Sequence, residues 1–235
     1  MKQFAFWDSC KAYLLCNLLT VLGALPFALG FGAALFLRSS FVLLLACVIG
    51  GCCFGPMLSG VVDFLLRRFR HCQDDWWYSY RRAWKQNWKG SLMPGVILCC
   101  FLGFWGFMGM QLYWTMGRIS SGMALCLLGS LLLVFLLVPT FWVQLVLFQQ
   151  SAFLSIRNCV IFAVTHFLGC LAAALITIGW WLLLAGSAPW SLLLIPVCGF
   201  SFGSFWALKL LYPKLNQVFQ IEERIDAQFP EQRML

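Results

Sequence analysis

Polar side chains set inside apolar sequence are costly in hydrocarbon, so those that occur there are the first candidates for chemistry. This chain has few. Asp63 stands one turn before Arg67, the spacing of an i,i+4 ion pair at the end of an apolar run. His166, with Thr165 beside it, could titrate or bind a solute; as a neutral ring it would hydrogen-bond between helices, which is the commoner use. Asn17, Gln111 and Gln144 are further interhelical hydrogen-bonding candidates. No two carboxylates share an apolar run, so a proton relay is poorly equipped. A Ser/His/Asp set, HExxH, a P-loop and a dinucleotide fingerprint are all missing. The twelve cysteines include no CxxC pair and no Cys/His spacing that suits zinc, and only Cys72 lies in a polar stretch. The expectation is a protein without enzymatic activity, cofactor or metal.

A second kind of candidate is backbone rather than side chain. LGALPFALGFG places Gly23, Pro26, Gly30 and Gly32 midway along one apolar run, and VIGGCCFGPMLSG does the same with Gly50, Gly51, Gly55, Pro56, Ser59 and Gly60. Proline frees a carbonyl, glycine admits a neighbouring helix, and paired breaks at mid-membrane mark solute sites in transporters. Two readings stay open for Asn17, Pro26, Gly55, Pro56, Ser59, Asp63 and His166: a solute site, or kinked helices packed closely. Packing is preferred, because Pro139 and Pro196 interrupt other runs as well.

A third candidate is the segment 67–89, RRFRHCQDDWWYSYRRAWKQNWK, the only long polar stretch between two apolar halves. It interleaves Arg67, Arg68, Arg70, Arg81, Arg82, Lys85 and Lys89 with Trp76, Trp77, Tyr78, Tyr80, Trp84 and Trp88; Asn87 lies in its Lys-x-Asn-Trp-Lys ending. A helix starting near Asp74 and Asp75 would align Trp77, Tyr80, Trp84 and Trp88 on one face. Such a helix suits the headgroup level, where Trp and Tyr settle and Lys and Arg reach anionic phosphate. The same face could instead dock a cytoplasmic protein.

The elements that must position these groups follow from composition. Hydrophobic residues make up 62% of the chain and charged residues 10%, against about 25% charged in soluble domains. That excess of apolar surface needs a membrane. Apolar runs at 12–37, 41–66, 91–117, 119–148, 159–184 and 190–212 each reach the roughly 20 residues that span hydrocarbon. Backbone groups in lipid must be satisfied internally, so each should be a helix. The fold class is therefore all-α, a single domain (1–235) and a polytopic bundle of about six transmembrane helices, with an interfacial amphipathic helix between the second and third. The N-terminus reads as an uncleaved first membrane helix, since Asp8 and Lys11 interrupt a signal-peptide core.

Threading six spans puts Lys2, Lys11, the 67–89 cations, Arg157, Lys209, Lys214, Arg224 and Arg233 on one side and only Arg38 and Arg118 on the other. The cation-rich side should be cytoplasmic, with both termini there. The net charge of +8 then reads as topology and anionic-lipid contact, not nucleic-acid binding. After Pro213 the tail 213–235 reads as a short amphipathic helix with Leu215, Val218, Phe219, Ile221 and Ile225 on one side, its acids placed to meet the collar's arginines.

Several of these features resemble one family. Asn17-Leu18-Leu19 with Leu25-Pro26 comes first, then GPMLSG, then FLLRRFR and WWYSYRRAWKQNWKGSL. The order is similar to that of the YesL-like (DUF624) membrane proteins. Pro26 and Pro56 stand further apart than the corresponding family elements often do, leaving room for a longer helical hairpin. The resemblance implies a bacterial inner-membrane protein of unassigned biochemistry, an accessory to carbohydrate uptake, with an ABC-type uptake system as its partner.

Overall fold

The computed structural model describes residues 2–69, 76–116, 120–148 and 152–223. Among these residues the chain forms α1 (Lys2–Leu37), α2 (Ser40–Phe69), α3 (Trp76–Met116), α4 (Ser121–Leu147), α5 (Ala152–Thr165), α6 (Phe167–Gly186) and α7 (Ser191–Phe219), and no strand. All but α5 are long and apolar enough to cross a membrane. The protein is a polytopic, all-α membrane bundle.

The bundle is organised on α2, which packs along α1 on one side and α3 on the other. Lipid tails are as apolar as leucine, so helices associate in a bilayer by close packing rather than by hydrophobic exclusion. The sequence allows that approach at adjacent glycines facing opposite ways. A Cβ on Gly50 would lie 2.7 Å from the Phe27 Cα on α1, and one on Gly51 would lie 2.6 Å from the Val96 nitrogen on α3. Gly95 opposes Gly55 in the same way, its virtual Cβ 2.8 Å from the Gly55 Cα, and the Ser91 carbonyl fills the space beside Gly55. Further along, α1 meets α2 where Gly30 faces Ala46.

At the far end of the α1–α2 hairpin, Arg38 takes a left-handed conformation (φ 49°). Ser39 N–H donates to the Ala34 carbonyl and Arg38 N–H to the Leu35 carbonyl, which closes α1 as a Schellman motif. The Arg38 guanidinium lies 5.4 Å from the Trp114 ring centroid, so that turn is also tied to the end of α3. Outside the α1–α2–α3 core, α7 packs on α1, α6 on α7, and α4 on α5 and α6.

Three boundaries differ from the sequence expectation. The collar is not a separate interfacial helix: α3 runs unbroken from Trp76 through Pro94 to Met116, 41 residues. At ~1.5 Å per residue that is roughly twice the hydrocarbon thickness. The helix continues because one inward stripe, Tyr80, Ala83, Asn87, Ser91 and Gly95, stays buried across the membrane edge. The expected fifth span, 159–184, is divided at His166 (φ −120°, ψ 39°) into α5 and α6. Thr165 Oγ1 donates to the Ile161 and Phe162 carbonyls (3.0 and 3.1 Å) in the turn before that break, a back-bond of the kind that favours helix bending. At 14 residues α5 is too short to span.

The sixth span does not stop before Pro213. Leu211 and Leu215 are buried on either side of that proline, and α7 runs on until Gln220 turns left-handed (φ 50°). Leu215 and Ile221 are fully buried while Val218 is half exposed, so these residues do not share one side as expected. Glu222 accepts the Tyr212 hydroxyl at 3.4 Å rather than meeting a collar arginine. Ile225 lies outside the described residues.

The seam yields a direct prediction. Gly55→Leu should lower the unfolding free energy by about 1–3 kcal/mol or more through overpacking. Gly129→Leu, where nothing lies within 4 Å, should be neutral or slightly stabilising. Thermal unfolding of both variants in the same detergent checks this.

Candidate functional site

The collar end of the bundle holds a buried ionic cluster. Asp63 and Arg67 lie one turn apart on α2, and Arg67 Nε donates to Asp63 Oδ2 at 2.8 Å with both side chains nearly covered. Arg82 reaches across from α3 and brings Nη2 to 3.9 Å from the same oxygen. One carboxylate is thus shared by cations from two helices, and the expected local i,i+4 pair is also an interhelical tie. Little water competes at this depth, so removing one partner of such a group typically costs about 3–5 kcal/mol. Arg82 also lies over the Tyr78 ring, 5.9 Å from its centroid.

Tyr80 completes the clamp. Its ring lies over Gly60, where a Cβ would come within 2.7 Å, and its hydroxyl donates to the Met57 carbonyl at 3.2 Å. The collar's inward residues are therefore Ser79, Tyr80, Ala83 and Asn87. The expected aromatic face is split. Tyr80 points into the protein, Trp76 and Trp84 are half-buried, and Trp77 and Trp88 are exposed. Arg81, Lys85 and Lys89 are exposed as well, and Arg68 is partly covered. Arg70, His71, Asp74 and Asp75 lie outside the described residues.

The residues grouped as a solute or packing site go to separate places. Gly55 is filled by the backbone of α3, and the buried Ser59 donates its hydroxyl to the Pro56 carbonyl at 2.7 Å. Pro26 is half-buried within an unbroken α1. His166 stands at the α5–α6 junction with its ring 4.8 Å from Phe162. Asn17 has the most structured surroundings. Its amide donates to the Ile195 and Pro196 carbonyls (2.8 and 2.7 Å) and accepts from Phe200 and Ser201 N–H (2.8 and 3.0 Å). An uninterrupted helix pairs Phe200 N–H with the Pro196 carbonyl; here both groups bond to Asn17, whose side chain bridges α7 like an inserted peptide unit. All four of its hydrogen-bonding positions are used.

Gln144 is fully buried on α4, donates to Cys159 Sγ on α5 at 3.3 Å, and has no partner for its Oε1. Two tryptophans missed in the sequence tie helices together: Trp105 donates to the Leu127 carbonyl and Trp180 to the Gly199 carbonyl, both at 2.8 Å.

Two hollows open on the surface. One, of about 320 Å³, lies on the collar between Trp84, Lys85, Gln86, Trp88 and Lys89. The other, of about 410 Å³, is an apolar groove between α3 and α4 lined by Phe104, Trp105, Met108 and Met123. No group of three or more His, Cys, Asp or Glu placed to hold a metal occurs among the described residues. No family model, curated protein or solved structure matches this chain.

Replacing Asn17 by leucine removes all four of its hydrogen bonds to α7 and sets an apolar side chain against those backbone groups. The expected loss is about 2 kcal/mol or more. Ser91→Ala should cost less, about 1 kcal/mol at most, because that buried hydroxyl makes a single bond within its own helix. Unfolding by a denaturing detergent in mixed micelles compares the two.

Proposed function

We propose that this is a bacterial inner-membrane protein with both termini in the cytoplasm. In this reading it works without enzymatic activity, as an accessory or assembly factor for an ABC-type carbohydrate uptake system. The orientation rests on the lopsided distribution of Lys and Arg about the spans. The link to carbohydrate uptake rests on the resemblance to the YesL-like family.

The observation that carries the docking role is the clamp on the collar. The Asp63–Arg67–Arg82 cluster and Tyr80 hold the first turns of α3 against α2. Exposed Tyr78 and Arg81, with Trp77 beside them, are thereby presented on a stiff extension of the bundle rather than on a loop. Aromatic residues and arginine on a pre-organised surface are the usual anchors of a protein interface. For the alternative, a solute carrier at the Pro26 and Pro56 segments of α1 and α2, both helices run unbroken and Gly50, Gly51 and Gly55 face neighbouring backbone, which favours packing there.

Purification from native membranes in mild detergent tests the proposal. The intact protein should bring down a subunit of a sugar-transport permease, identified by mass spectrometry, in near-equal amount. Tyr78→Ala with Arg81→Glu should reduce that recovery by tenfold or more, given ~2 kcal/mol for an anchor residue. Recovery of the single polypeptide alone, or equal recovery with the variant, would contradict the docking role.

A further inference from the structure

The collar hollow stands at a defined depth. From Gly90 to Trp114 α3 carries no charged residue, a length that at ~1.5 Å per residue crosses the ~30 Å of hydrocarbon. Lys89 is the first cation at the near end of that stretch, and Lys85 follows one turn further out on the same side of the helix. Both are exposed, and among the described residues neither has a carboxylate partner. Beside them, on the adjacent stripe of the helix, stand Trp84 and Trp88, also one turn apart, their rings edge to face with centroids 5.0 Å apart. The Trp84 indole N–H is shielded and has no acceptor. Two unneutralised ammonium groups and two aromatic walls thus line one hollow at the near end of the charge-free stretch.

We infer that this hollow binds the phosphate of an anionic phospholipid, with Lys85 and Lys89 on the headgroup and the Trp84–Trp88 pair against the first part of its acyl chains. Indoles settle at the level where headgroup meets chain, and lysine stems run along apolar surface while the ammonium reaches phosphate. Exposed charge alone would bind any anionic leaflet loosely. The paired aromatic walls and the rigid helix give a site that holds one lipid. The inference uses the membrane-spanning fold and the proximal collar only. It stands whether or not the distal residues Tyr78 and Arg81 dock a transporter.

Native mass spectrometry of the detergent-solubilised protein, titrated with phosphatidylglycerol or phosphatidylcholine, reads this site. One phosphatidylglycerol should be retained in preference to phosphatidylcholine, and inorganic phosphate in excess should not displace it. Lys85→Gln with Lys89→Gln should weaken retention by roughly thirtyfold, from the usual contribution of a cation near an anionic surface. Lys209→Gln, another exposed lysine, over the Trp206 ring on α7, should leave retention unchanged. Both substitutions replace surface residues, and a preserved melting temperature separates lost binding from lost folding. Equal retention of the two lipids, an unaffected double variant, or displacement by inorganic phosphate would each overturn the inference.

Discussion

The structure depends on how closely α1 and α3 approach the two faces of α2. In a bilayer no water is released when apolar helices meet, so the gain comes from dispersion contacts that fade within an ångström of separation. Gly50 and Gly51 supply the space on opposite faces of one turn, and Gly55 with Gly95 extends it along α3. Every other contact in the α1–α3 core presupposes that distance. Tyr80 can lie over Gly60, and Arg82 can reach Asp63, only because the helix carrying them is already drawn against α2.

The same seam explains why the collar has two characters. Its inward stripe continues the small-residue face of α3 and is committed to α2, whereas its outward residues are left for lipid or protein. A free interfacial helix would expose its polar face to water and its aromatic face to lipid. Here the aromatic set is divided, with Tyr80 spent inside and Trp77, Trp84 and Trp88 kept toward the outside. The buried Asp63 fixes which way the helix faces, so the exposed lysines and tryptophans keep one arrangement.

Hydropathy made the spans legible, because long apolar runs admit few structures in lipid. It did not make the helix ends legible. The stripe Ser79, Ala83, Asn87, Ser91 and Gly95 is small and mildly polar, so it gives no hydropathy signal although it carries α3 past the membrane edge. The fifth apolar run is divided at His166, where the backbone leaves helical dihedrals at one residue that an average over many conceals. Pro213 pointed to a stop, yet buried Leu211 and Leu215 hold the helix through it. Asp63 with Arg67 was visible from spacing, but Arg82 as a third member was not, since its approach depends on the seam. Asn17 stood out as a polar residue in an apolar run; its acceptors and donors on α7 lie at the other end of the chain and could not be paired with it in advance.

The central claim concerns backbone proximity, so the most direct test is a through-space contact between glycines. Magic-angle-spinning NMR on the protein in bilayers, with ¹³C at glycine Cα and resonances assigned by single replacements, reports it. A strong cross-peak linking Gly55 with Gly95, and none linking Gly129 with either, is the predicted spectrum. A well-resolved spectrum with no Gly55–Gly95 cross-peak would contradict the account, because α2 and α3 would then be separated by side chains and the collar clamp would lose its footing.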